Sequence, residues 1–224
     1  MKKIEIKELR KVLEKVLLNE KVDSQKVRAI VEDYIEAELE GKLSHGLRAF
    51  PSLMKRVDRA QGAKIGVLKE TDSLLYLDAD QEFGQVVGEY VRGKLVEKVN
   101  NNGFAIALVK NMQPFLRPGF QAKRLADEGL IGVVTNSTKN LVTPFGGFEP
   151  ILGTNPLGFA IPFRRGVIVA DFATSKKANG EVKMAKLKNE KLPERIFFNS
   201  NGEYTTDPDA VYSIDVFGDY KGLA

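Results

Sequence analysis

Near residue 60 the apolar side chains of this chain change their period, and that change limits the fold more than any other feature. Before it, Leu9, Val12, Leu13, Val16 and Leu17 recur at helical spacing within residues 7–20. Asp23-Ser24 then offers a cap to a second helix through Val27, Ile30, Val31, Tyr34, Ile35 and Ala37, which Gly41 ends. After a Ser44-His45-Gly46 turn, Phe50, Leu53, Met54 and Val57 predict a third helix. Residues 1–60 therefore read as an N-terminal helical module, and 61–224 as a second, α/β unit. In that second part, Val67 to Asp80 predicts extended chain near a turn, and Gly84 to Val99 a helix. Strands are expected at 104–109, 130–134, 159–162 and 167–170, with a further helix at 119–128. Alternation of short strands with helices predicts a mixed α/β or α+β fold. The last segment, Asn199 to Ala224, contains no obvious closing element.

A chain of 224 residues is long enough for one substantial domain or two small ones with a real core. Its net charge of +4 comes from 34 basic and 30 acidic residues spread along the chain, an interspersed surface that argues against a nucleic-acid partner. With no cysteine, disulfides, thiolate nucleophiles and cysteine-based zinc sites are excluded. With one histidine and no spaced carboxylate cluster, no metal site is expected. Charges run through the apolar pattern of the N-terminus, so neither a signal peptide nor a membrane span is expected there, and the reading is a cytoplasmic protein.

Neither of the common nucleotide fingerprints is present, since the chain lacks both G-x-G-x-x-G at a strand-to-helix turn and G-x-x-x-x-G-K-[ST]. Three loops nonetheless carry suitable donors. Thr135-Asn136-Ser137-Thr138 follows a strand, and Pro144-Phe145-Gly146-Gly147 leads to Leu152-Gly153-Thr154-Asn155-Pro156, whose glycines permit close backbone approach. Asp171 to Lys177 ends a strand with two hydroxyls and two ammonium groups, chemistry that suits a phosphate. Ordinary turns would contain the same residue types.

The ordered set of segments resembles one family. Ser44-His45-Gly46, Phe83 to Gly88, Gly129 to Gly132, Pro144 to Gly147, Leu152 to Pro156, Asp171 to Ser175, Lys191 to Pro193, Asn201-Gly202, Thr205-Thr206 and Tyr220-Lys221-Gly222 are similar to the type-2 malate/L-lactate dehydrogenases. The resemblance covers nearly the whole chain, with the family's sequence continuing beyond Tyr-Lys-Gly where this chain ends at Ala224. It implies a non-Rossmann fold with a largely antiparallel sheet and reversible hydride transfer between NAD or NADP and a small 2-keto/2-hydroxy acid. It also implies a homodimer. By the same similarity Asn136, Ser137, Asp171, Phe172, Ala173, Thr174, Ser175, Lys176, Lys177 and Lys221 would line the cofactor.

Reduction of a ketone needs a proton for the nascent alkoxide, and an imidazole titrates in the range where it can supply one. His45 is therefore the expected acid/base, with Ser44 either capping the following helix or orienting the ring. A substrate carboxylate wants a guanidinium, and Arg48 and Arg117 are the candidates. Two departures stand out. Ala49 occupies the position where the resembled family usually has that arginine, and Pro114 the place of a histidine proposed elsewhere as acid/base. Proline transfers no proton, so either His45 serves alone or the chain is a catalytically degenerate relative that binds a partner or subunit. The stretch from Met112 to Phe115 is expected to form a more apolar pocket.

Overall fold

The computed structural model describes residues 4–217. In it the apolar stripe of α1 (Ile6–Asn19) closes on that of α2 (Ser24–Leu39), burying Leu13 and Leu17 against Val27, Ile30, Val31 and Tyr34. Full burial of each such side chain contributes roughly 1.5–3 kcal/mol. The expected cap forms: the Asp23 carboxylate accepts from the Gln25 backbone N–H at 2.9 Å. At its other end α2 stops at Gly41, whose φ of +71° lets the Lys42 N–H reach back to the Ala37 carbonyl at 2.8 Å.

The single third helix is broken. A 3-10 turn spans Leu47–Ala49, followed by α3 (Phe50–Met54) and α4 (Val57–Ala60). Pro51 sits in the first turn of α3, and Arg56, at φ −126°, leaves the helical range and separates the two pieces. The core of this helical layer also takes in Phe83, Val86 and Leu116 from beyond residue 60.

β1 (Gly66–Glu70) and β2 (Leu74–Asp78) pair as an antiparallel hairpin. The chain crosses through α5 (Gly84–Asn102) to β3 (Ile106–Lys110), which runs parallel to β2. α6 (Pro118–Asp127) precedes a second sheet of β4 (Gly132–Thr135), β5 (Leu157–Phe163) and β6 (Gly166–Phe172), antiparallel throughout. Small side chains at Ala122, Ala126 and Ala160 let α6 lie close on that sheet. α7 (Asn179–Lys188) and the short antiparallel pair β7 (Phe197–Phe198) and β8 (Ser213–Ile214) follow. Apart from the parallel β2–β3 pairing and a single parallel bridge from Val142 to Ile214 of β8, the pairings among the described residues are antiparallel, so the mixed, largely antiparallel fold is as expected, whereas α7 had no counterpart in the sequence reading. Ile106 and Leu108 of β3, Val133 of β4 and Ile168 of β6 stand exposed on the outer faces. No helix among the described residues is long and apolar enough to cross a membrane.

Among the charged side chains buried in the described residues, Asp33 lies deepest. Asp33 of α2 is fully buried, and burial pushes its carboxyl up from the usual 3.8 to about 7, against the opposing pull of Arg117 and a bond from Gln85. The folded chain therefore binds this proton more tightly than the unfolded one. Its contribution to stability is complete below the ordinary value and is lost as pH rises through about 7. Asp33→Asn removes that slope. The stability difference between native protein and variant, read from urea midpoints at about pH 5 and about pH 8, should change in the variant's favour at the higher pH. A constant difference would exclude Asp33 as the titrating group.

Candidate active site

The Ser44-His45-Gly46 turn is built on the end of α2. His45 and Gly46 both donate their backbone N–H to the Lys42 carbonyl, at 2.8 and 3.0 Å. Glu38, the last residue but one of α2, turns its carboxylate onto the loop and accepts from the Leu47 N–H at 3.0 Å. This contact explains the glycine. A β-carbon at position 46 would collide with Glu38 Oε2 and lie 3.2 Å from the Glu38 backbone nitrogen. Any larger residue at position 46 would displace the Glu38 carboxylate from its present position and crowd the α2 backbone.

Ser44 Oγ and His45 Nδ1 are hydrogen-bonded at 2.9 Å. Ser44 does not cap the 3-10 turn that follows, whose first N–H is taken by Glu38; its hydroxyl bonds the imidazole instead. His45 is half-buried, and its proton affinity is lowered from the ordinary 6.5, first by burial. The Asp171 carboxylate opposes that change, while Arg117 and Lys42 add to it. Asp171 sits near the end of β6, cross-strand from Gly158, and its β-carbon is packed against Gly119 in the first turn of α6. The histidine loop also approaches α7. Arg48 is exposed, with Nη1 3.9 Å from Met184 Sδ, and Ser44 lies beside Gly180.

Arg117 is placed differently from Arg48. It is 3% exposed, with Nη2 3.5 Å from Asp33 Oδ1 and Nη1 bonded to Glu40. Its guanidinium also lies 5.6 Å from the Phe120 ring centroid. Burial and these internal partners commit it to the protein, whereas Arg48 is the exposed one of the two arginines. Pro114 is exposed between buried Gln113 and Phe115. Phe115 packs down on Gly84 at the start of α5.

The three donor-rich loops do converge. The Thr154 N–H donates to Thr138 Oγ1 at 2.8 Å, the Thr138 N–H to Asn155 Oδ1 at 3.1 Å, and the Thr174 N–H to the Thr154 carbonyl at 2.8 Å. Gly153 is pressed against Thr138 and Asn155, so its missing side chain serves the junction between loops. Asn136 is half-buried with its amide on the Ser137 carbonyl, and Ser137 is exposed. Phe172 is 38% exposed, Ala173 half-buried, and Ser175 buried with Oγ donating to the Lys177 carbonyl at 2.8 Å. Lys176 pairs with Asp215 at 2.9 Å and Lys177 with Glu181 at 3.4 Å. Lys221 lies outside the described residues. Hydroxyls, an amide and two ammonium groups form a donor set that fits a dinucleotide's phosphates and ribose, although a phosphate would compete with Asp215 and Glu181 for the lysines. Among the described residues no group of three His, Asp or Glu side chains is arranged to hold a metal ion.

Sequence reasoning missed Glu38, Asp33, Glu40 and Met184. For Asp33 a signal existed: it falls between Ile30 and Ala37 on the apolar stripe of α2, where a solvated carboxylate does not belong.

The chain matches the malate/L-lactate dehydrogenase family over residues 4–224. It is 32% identical over 222 residues to the malate/(S)-sulfolactate dehydrogenase of Methanothermus fervidus, covering 97% of this chain and 66% of that one. It is 29% identical over 226 residues to the delta(1)-pyrroline-2-carboxylate/delta(1)-piperideine-2-carboxylate reductase of Pseudomonas putida, covering 97% and 66%. The fold is similar to the sulfolactate dehydrogenase structure from Methanocaldococcus jannaschii, with a TM-score of 0.83, 29% identity, and coverage of 95% of this chain and 63% of that one. The chain thus spans about two thirds of the length of these relatives.

Proposed function

Because the chain belongs to the malate/L-lactate dehydrogenase family, we propose that it interconverts a small 2-hydroxy acid and its 2-keto acid with NAD or NADP, His45 acting as acid/base. The observation that carries this reading is the Ser44–His45 pair, held on α2 by Glu38 and faced by the Asp171 carboxylate. A bound nicotinamide supplies the hydride. The chain's own groups do the rest. Ser44 fixes Nδ1, so Nε2 is the nitrogen that gives a proton to the carbonyl oxygen in reduction and takes it back in oxidation. Asp171 stabilises the imidazolium form that reduction consumes. Arg48, exposed beside the loop, offers a pair of donors to the substrate carboxylate. Asn136-Ser137 and the Asp171 to Lys177 loop hold the cofactor.

The names of the relatives include enzymes of 2-hydroxy acids and of cyclic imines, whose common element is a carboxylate beside the carbon that exchanges hydride. We take the hydroxy-acid class for this chain and a homodimer as its assembly. The test begins with NADH and NADPH fluorescence on titration with protein, followed by turnover of a panel of 2-keto acids and cyclic 2-carboxy-imines. Failure of both cofactors to bind at about 1 mM removes the proposal.

The lowered proton affinity of His45 fixes the sign of the pH dependence. The proton donor for reduction is present below a midpoint that lies under 6.5. Accordingly kcat/KM for keto-acid reduction should fall as pH rises through that midpoint, and that for hydroxy-acid oxidation should rise. Matched initial-rate profiles in the two directions check this, and parallel profiles would remove His45 from proton transfer.

A further inference from the structure

We propose that Arg117 is a positioning residue of the His45 site: seated on α2 by Asp33 and Glu40, it ties the helix that holds the histidine loop to the first turn of α6, against which Asp171 packs. The inference rests on the reading of His45 as acid/base, and its geometry is drawn from three elements. α2 faces Arg117 with Asp33 at 3.5 Å and with Glu40, and grips the loop with Glu38. Arg117 is the residue immediately before Pro118, the first of α6, and Gly119 of that turn lies against the Asp171 side chain. α5 contributes Gln85, whose amide donates to Asp33 at 3.2 Å and so orients the carboxylate that Arg117 meets.

Such a side chain is costly to bury, and a purely packing role would be filled as well by an apolar one. The chain instead places a cation where it acts on the imidazole. The charged groups acting on His45 are Arg117 from the head of α6, Asp171 from β6 and Lys42 from its own loop; Arg117 disfavours the protonated ring while Asp171 favours it. Those facing Asp33 are Arg117 and, along α2, Glu36, which is itself paired with Lys123. Arg117 thereby works against Asp171 and with burial to disfavour the protonated ring.

The single histidine makes the test direct, because every imidazole resonance in the NMR spectrum of the full chain belongs to His45. Arg117→Met removes the charge, and Asp33, whose carboxyl is already pushed up to about 7, can take a proton and leave no bare anion behind. In that variant the His45 titration midpoint should move up, and in Arg117→Lys, which keeps the charge, it should stay close to that of the native chain. Keto-acid turnover by Arg117→Met should fall roughly 10- to 100-fold with KM little changed, as for a displaced rather than deleted acid/base. A folded Arg117→Met protein, judged by circular dichroism, whose midpoint does not move overturns the inference. Should Arg117→Met not fold, Arg117→Gln, which removes the charge but leaves a polar side chain for Asp33, decides: its midpoint should move up, and no movement there overturns the inference equally. If the midpoints shift as stated while no keto acid is turned over by the native chain, the coupling stands and the proposed reaction fails.

Discussion

Replacing His45 by glutamine is expected to lower 2-keto-acid turnover by roughly 10²–10⁴-fold, the span that a positioned general acid ordinarily contributes. Glutamine keeps a polar side chain near the Ser44 hydroxyl but carries no transferable proton at neutral pH. Because no cysteine is available and Pro114 replaces the histidine that the resembled family commonly has, no second imidazole or thiol can take over. Cofactor binding should survive, since the loops at 136–138, 153–155 and 171–177 are joined to one another by their own hydrogen bonds and not through His45. Fluorescence titration with NADH and a turnover measurement on the same preparation separate the two effects. Absence of turnover in both proteins would favour the degenerate, partner-binding reading motivated by Pro114, and equal turnover in both would remove His45 from proton transfer. Loss of both binding and turnover would point to collapse of the loop instead.

Gly158→Ala should destabilise the chain by about 1–3 kcal/mol, the range for inserting a methyl group into a packed site. Position 158 is where β5, β6 and α6 come together: it pairs with Asp171 across the sheet, and an added β-carbon would lie 2.5 Å from the Gly119 nitrogen and the Pro118 carbonyl oxygen. Those neighbours are backbone atoms, so no side-chain rotation relieves the contact. For a chain of this size each kcal/mol lowers Tm by about 2–4 °C. Gly93→Ala is the control: it is a helical position of α5 with nothing within 4 Å of the new carbon, and alanine there should stabilise by about 1 kcal/mol. Equal thermal shifts in the two variants would show that the junction at Gly158 tolerates expansion. Because Asp171 is strand partner to Gly158, the alanine variant should also alter the His45 titration.

The first two helices were legible in the sequence because their cores are filled from their own stripes; Leu17, Ile30 and Tyr34 stand at helical spacing and end up without exposure. Most strands were legible for the same local reason. The break after Met54 was not, since it depends on how Arg56 turns the chain. α7 was missed because Gly180 and its lysines blur the apolar period. Within the candidate site, Ser44, His45 and Gly46 could be picked out as a motif, yet their support could not. Glu38, Glu40 and Asp33 look like part of an ordinary charged helix, and their partners are a backbone amide at Leu47 and an arginine 77 residues downstream of Glu40. Pairings at that separation leave no periodic trace.

α2 has one further consequence, for how this site can be inherited or transplanted. The tripeptide Ser-His-Gly is short enough to arise in many loops, but here its shape is specified by Glu38 from beneath and by the Gly41 turn at its entrance. Copying residues 44–46 into another loop would transfer the imidazole without its orientation. The stretch from Asp23 to Leu47 has to move as one piece together with the partners that bury its stripe, so insertions should be tolerated before the cap and not between Glu38 and His45.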